Sequence, residues 1–229
     1  MHDGSFEGLM TAIAVALREG DRVEGLLRAD DPPTLLPVEP VRTRPDILDR
    51  MGDYLARRAG PETPEVLYHA YLSLWPDLDT PMLRYVRLGL SMGRDPGPLR
   101  QNPDVLRVKQ AQRKLLGEMH LFLGILRFRQ AGPSLFVADC EPDGRILPLL
   151  GDHFADRLWD QPFVIRDLRH GEAVLYRPGA DWRLVALPDE KRAPLESADP
   201  MEALWRRYFE VLAIPERRNP LVQRTHLPK

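Results

Sequence analysis

The chain has 229 residues, 43% of them hydrophobic and 29% charged, with a formal net charge of −2. That is an ordinary globular composition with room for an ample core, and it argues against a protein that coats nucleic acid non-specifically, which is basic overall. The single cysteine, Cys140, excludes an internal disulfide and any multi-cysteine metal or iron–sulfur site within one chain.

The first element follows His2-Asp3-Gly4-Ser5-Phe6-Glu7-Gly8, with Phe6, Leu9, Met10, Ile13 and Leu17 at helical spacing. Asp3 or Ser5 suits the cap of that helix; Asp3, Ser5 and Glu7 together could also touch a ligand, and capping is the simpler use. Residues 28–43, RADDPPTLLPVEPVRT, hold four prolines and no regular period, which reads as an extended connector. Helices are expected from Pro45, from Thr63-Pro64 and from Thr80-Pro81, the last closing near Gly93: proline suits a first helical position, and in the latter two a cap residue precedes it. The third contains RYVRLGLSMGR, whose Arg84 and Arg87 form either a solvated face or a phosphate-facing set.

A long helix is expected from Asn102 to Gln130, with Asn102 as cap and Pro103 at the first position. Val108, Ala111, Leu115, Met119, Phe122 and Leu126 fall on one stripe and predict its core face. The opposite face carries Lys109, Arg113, Gly117, His120, Gly124 and Arg127. Each interior glycine costs about 1 kcal/mol against alanine, which points to a close backbone approach or a cleft wall. Glu118 lies at the margin of the apolar stripe, where an unpaired carboxylate is costly.

Beyond Gln130 the pattern changes to strands: Ser134–Cys140, Phe163–Leu168, Glu172–Tyr176 and Trp182–Leu187, the last three joined tightly as an antiparallel meander. Between the first two, a turn at Pro142-Asp143-Gly144 and a short helix around His153–Trp159 are expected. A closing helix from Asp199-Pro200 and an irregular basic tail, ERRNPLVQRTHLPK, end the chain. The whole predicts one α+β domain over residues 1–229: a helical part at 1–130 with one long central helix, a small antiparallel sheet at 131–198, and a returning helix with the basic tail at 199–229.

Charge is uneven along this order. Residues 105–130 carry 6 basic and 1 acidic groups and residues 204–229 carry 6 and 2, whereas residues 131–203 carry 8 and 14. Guanidinium groups suit phosphates, so Arg113, His120 and Arg127, with Arg217, Arg218, Gln223, Arg224 and Lys229, are candidates for anion recognition. Asn219 and Gln223 could read a base edge. There is no dinucleotide, P-loop or nucleophile-elbow motif, and no spacing demands a metal. No apolar run approaches the length of a membrane span, and MHDGSFEG lacks a secretion-signal pattern; a cytoplasmic place and no membrane partner are expected.

HDGSFEG, RYVRLGLSMGR, VLRVKQAQRKLLGEMHLFLGILRF, LPLLGDHFADRL and ERRNPLVQRTHLPK occur in an order that resembles one bacterial family of DNA-metabolism or DNA-repair proteins, whose domain is of unknown function. Members of that family typically occur beside a radical-SAM protein presumed to act on DNA, and similar domains are fused to uracil-DNA-glycosylase-like domains. The matching motif residues include Asp3, Ser5, Glu7, Arg84, Arg87, Glu118, His120, Arg127, His153, Asp167, Arg217, Arg218, Asn219, Gln223 and Lys229. The resemblance implies an accessory protein of DNA repair or modification that binds DNA or a damaged nucleotide and works with a radical-SAM partner. It holds no cofactor of its own, since one cysteine cannot carry the cluster. Two other readings stay open. One is a hydrolytic DNA-processing enzyme, with Glu118, Asp143 or Asp167 activating water and His120 or His153 assisting; the other is a protein-only scaffold.

Overall fold

A computed structural model describes residues 1–131 and 134–188. The closing helix and basic tail expected from residue 199 onward lie outside them. The chain divides into two compact units, Met1–Leu115 and a second beginning at Leu116.

The first unit is helical: α1 (Phe6–Glu19), α2 (Ile47–Ala59), α3 (Thr63–Leu72), α4 (Asp79–Met92) and the first half of α5 (Pro103–Ile125). α2 packs on α1, α3 and α4, and the core includes Leu9, Ile13, Leu55, Leu67, Met82 and Leu83, each fully buried. Asn102 caps α5 as its sequence predicts, its Oδ1 accepting the Asp104 and Val105 N–H groups at 3.0 and 3.1 Å. The helices beginning at the two threonine–proline pairs start where expected, yet neither threonine is a cap. Thr63 Oγ1 donates to the Ala59 carbonyl at 2.9 Å, and Thr80 Oγ1 accepts the Leu26 N–H at 2.9 Å. The starts rest on Pro64 and Pro81 in the first turns, where a missing N–H costs nothing. Residues 29–40 form the expected irregular connector and are exposed throughout.

In the second unit α5 stops at Ile125, short of Gln130. β1 (Arg129–Gln130), β2 (Phe136–Cys140), α6 (Leu147–Arg157), β3 (Phe163–Asp167), β4 (Glu172–Tyr176) and β5 (Arg183–Ala186) follow. The sheet runs in chain order, β1 to β5. β3, β4 and β5 form the expected antiparallel meander, and β1 is antiparallel to β2. β2 and β3 are parallel, Cys140 opposite Asp167, so the connection between them crosses over through α6. α6 starts at Leu147, six residues ahead of the expected His153; the overlooked start signal is Pro148 in its first turn. β3 and β4 are buried at every position. One sheet face packs Val137, Val164, Leu175 and Val185. Phe163 stacks on Tyr176 at 5.0 Å and meets Phe128 edge-on at 5.7 Å. Met119 and Phe122 on α5 are half-buried rather than core.

Candidate functional site

In the first unit most of the sequence candidates are structural. Asp3 Oδ1 accepts both the N–H and the hydroxyl of Ser5, at 3.0 and 2.6 Å, and Ser5 Oγ accepts the Gly8 N–H at 3.0 Å. The Ser5 hydroxyl, with Thr43 behind it, holds the Asp3 carboxyl below the usual carboxylate range. A Cβ at Gly8 would stand 2.1 Å from Asp3 Oδ1, so this cap needs glycine there. Glu7 sits half-buried in the first turn of α1, where a carboxylate suits the positive end of the helix. Arg87 donates to the Ala16 and Gly20 carbonyls at 3.3 and 2.6 Å, closing the C-terminal end of α1 rather than facing a phosphate. Arg84 is half-exposed, 3.6 Å from Asp104.

A buried charge cluster in this unit went unseen in the sequence. Asp79 receives both Arg28 Nε and a terminal Arg28 nitrogen at 2.8 Å, and lies 2.9 Å from His2 Nε2. His2 Nδ1 accepts the Gly4 N–H at 3.2 Å; the acceptor must be unprotonated, which assigns the ring proton to Nε2, facing Asp79. Burial pushes the Asp79 carboxyl up, but Arg28 and His2 together outweigh it and hold it below the usual range. Residues 2, 28 and 79 are far apart in sequence, so no local signal links them.

On α5, Arg113, Gly117, His120 and Gly124 are exposed. Arg113 Nε donates to the Lys109 carbonyl at 3.4 Å, and Arg127, just past the helix end, donates to the Gly124 carbonyl at 3.1 Å. No described carboxylate lies within ion-pair distance of Arg113 or Arg127. A Cβ built on Gly117 or on Gly124 would meet nothing within 4 Å, so no described backbone makes the close approach expected there.

The second unit gathers charge at the C-terminal ends of β2 and β3, the end at which open α/β sheets bind ligands. Glu118 accepts two backbone N–H groups of the turn after β2, from Asp143 to Oε1 at 2.6 Å and from Gly144 to Oε2 at 2.9 Å. Asp143 pairs with Arg169, which follows β3. Asp167, fully buried, accepts the Arg169 and His170 N–H groups at 3.0 Å each through Oδ1, and its Oδ2 lies 2.6 Å from His170 Nδ1. Arg145 approaches Glu172 at 3.9 Å, and its Nε is buried with no partner among the described residues. One strand residue further in, Arg166 is 1% exposed and grips Asp139 with Nε at 2.6 Å and a terminal nitrogen at 2.8 Å; Arg129 reaches the same carboxylate at 2.7 Å. Burial raises the Asp139 carboxyl, and Arg166 and Arg129 more than reverse it.

Glu118 and Asp167 are thus brought to one edge, linked through Asp143 and Arg169. His120 and His153 bond to neither; both are exposed, His153 edge-on to Phe154 at 5.0 Å. The described histidine that meets a carboxylate in this unit is His170, in the tight connection between β3 and β4. The local signal was available: an aspartate three residues before a histidine at a strand end favours an Asx-type turn. Its Nδ1 faces Asp167, so in the neutral ring Nε2 is the free acceptor. Cys140 donates its thiol to the Arg166 carbonyl at 3.3 Å, and burial, foremost, pushes that thiol far above its ordinary value, which suits packing and not nucleophilic attack. Among the described residues no group of three or more His, Cys, Asp or Glu is placed to hold a metal, and no helix is long and apolar enough to cross a membrane. Arg217, Arg218, Asn219, Gln223 and Lys229 lie outside the described residues.

Residues 76–229 match the family described as a domain of unknown function, DUF4130, and the chain belongs to that family. No curated protein and no solved structure matches the chain.

Proposed function

We propose that the chain is an accessory protein of DNA repair or modification, which holds DNA or a damaged nucleotide and acts beside a radical-SAM enzyme. The observation that carries the binding part is a contrast in how charge is engaged. Both oxygens of Glu118 hold backbone N–H groups and Asp167 is buried under three donors, whereas Arg113, His120 and Arg127 stand exposed without a described carboxylate partner. Cations in that condition suit phosphates; carboxylates in that condition do not suit water activation. The radical-SAM partner rests on the order of family-like motifs in the sequence. Fluorescence anisotropy with single-stranded, duplex and abasic oligonucleotides tests the binding part. Arg113→Ala/Arg127→Ala should weaken binding at least tenfold with little change in Tm. Wild-type chain that binds none of these DNAs at low salt removes the reading.

A second reading, a hydrolytic DNA-processing enzyme, is favoured by the Asp167–His170 pair alone. There His170 Nε2 would take a proton from water while Asp167 orients the ring, as in other carboxylate–histidine pairs. Product formation from any of these oligonucleotides, abolished by His170→Ala and partly kept by Asp167→Asn, would replace the first reading with this one.

A further inference from the structure

Two exposed surfaces of this chain complement each other. The first is the connector at residues 29–40. It is pinned at both ends: the Ala29 N–H donates to the His2 carbonyl at 2.8 Å, the Val41 N–H to the Met1 carbonyl at 2.8 Å, and the Met1 ammonium to the Glu39 carbonyl at 2.8 Å. Between the pins, Leu35 is 105% and Leu36 67% exposed. Pro32, Pro33, Pro37 and Pro40 bracket them, so little conformational freedom remains to be lost on docking. Asp30, Asp31 and Glu39, all exposed, make its rim acidic.

The second surface is the last two turns of α5. At about 100° per residue, Gly117 and Gly124 share one line, with His120 about 60° to one side of Gly117 and Leu121 and Ile125 about 40° and 80° to the other. Leu121 and Ile125 are 56% and 48% exposed, and Arg127 stands at the helix end. The glycines leave a shallow floor about 10 Å long, two turns of helix, with an apolar wall on one side and a basic wall on the other. A single exposed leucine means nothing. Two adjacent, strongly exposed leucines on a pinned, acidic loop, and a basic–apolar floor of matching kind, are a different case.

We propose that these surfaces meet between two copies of the chain, the Leu35–Leu36 loop of one seating on the Gly117–Gly124 floor of the other. The leucines cover Leu121 and Ile125, while Asp30, Asp31 and Glu39 face His120 and Arg127. The four prolines lack N–H groups, so docking strands fewer backbone donors than an ordinary loop would. The contact joins unlike surfaces. It closes into a dimer when both copies reciprocate and extends into a chain when they do not.

Sedimentation velocity of the full, nuclease-treated chain up to about 200 µM, a range that detects micromolar association, provides the test. The wild type should associate, and less so as salt rises. Leu35→Asp/Leu36→Asp and Ile125→Asp alter exposed positions; each alone should weaken association at least tenfold while leaving Tm within a few degrees. Mixed in equal amounts, the two variants should form a 1:1 complex, because one retains the loop and the other the floor. A wild type that stays monomeric throughout, association that neither variant weakens, association that strengthens with salt, or a mixture that stays apart overturns the proposal. DNA binding by the Arg113/Arg127 face stands or falls separately.

Discussion

Replacing Glu118 separates a structural carboxylate from a catalytic one. In Glu118→Ala the Asp143 and Gly144 N–H groups lose their acceptors at 2.6 and 2.9 Å. A hydrogen bond to a charged group contributes about 1.5–3 kcal/mol, and a stranded donor costs about 1–3 kcal/mol when water cannot replace the partner. Gly144 is buried and Asp143 exposed, so water rescues one donor and not the other. The sum to expect is about 2–4 kcal/mol, less than two full charged bonds. Glu118→Gln keeps one acceptor oxygen but turns an NH₂ toward the other donor, so it should recover less than half of the loss. Urea unfolding reads the stability, and amide hydrogen exchange at Asp143 and Gly144 reads the clamp itself. Loss under 0.5 kcal/mol with unchanged exchange at both amides would refute the assignment and return Glu118 to the list of free bases.

Gly151→Ala should destabilise the second unit by about 1–3 kcal/mol, the range for overpacking, since its Cβ would fall 2.5 Å from the Trp182 ring; loss of the Trp182 Nε1 bond to Asp152 should show as a shifted indole signal, and an unmoved signal would contradict the packing. Asp79 and Asp139 both have folded-state carboxyl values held below 3.8, so the stability they add is complete above the unfolded value and lost as pH falls through the folded ones. Stability should therefore be flat from about pH 5 to 7 with respect to these groups and fall below about pH 4, and Asp79→Asn should flatten that fall; an unchanged acid limb in this variant would count against it. Salt titration of DNA binding should give a log–log slope no steeper than about −4, from the few exposed cations at about −0.9 per neutralised phosphate. A slope beyond about −8 would mean that many more phosphates are engaged. A fragment beginning at Pro76 lacks Arg28 and His2, leaves Asp79 unpaired and uncovers Met82, Leu83 and Val86; circular dichroism should show α4 unformed in it, and a cooperative native-like transition would refute the dependence.

What could be read from the sequence was local. Asn102-Pro103, the Asp3/Ser5 cap, the Pro142-Asp143-Gly144 turn and the β3–β5 meander depend on neighbours a few residues apart, and each stands where its residues indicate. The failures have the opposite character. Asp139 and Arg166 meet because β2 and β3 run parallel in one register, which no pattern within either strand encodes. Thr63 and Thr80 carry the right residue type for a cap, yet their hydroxyls are claimed by Ala59 and Leu26. Arg127 belongs to the polar face of α5 only if the helix runs past Ile125; α5 ends there, and the Arg127 guanidinium folds back onto the Gly124 carbonyl. His153 is a candidate through its place in the LPLLGDHFADRL motif, while the partner that Asp167 takes is His170, in the tight connection after β3.

The same distinction governs where function can reside. Carboxylates with little exposure lock distant segments of this chain together: buried Asp79 joins residues 2 and 28 to α4, and half-buried Asp139 ties β2 to β3 and β1. Glu118, half-buried, likewise joins α5 to the turn after β2. A carboxylate that must release such partners to act as a base would loosen the fold with every turnover, which disfavours Glu118 as a catalyst. The exposed strip of α5 carries no such duty. If phosphates engage His120 and Arg127 and a second copy covers Leu121 and Ile125, both ligands use the Gly117–Gly124 floor, so each must weaken the other by the same factor. Self-association would then lower the apparent DNA affinity as protein concentration rises, by mass action alone and with no conformational change.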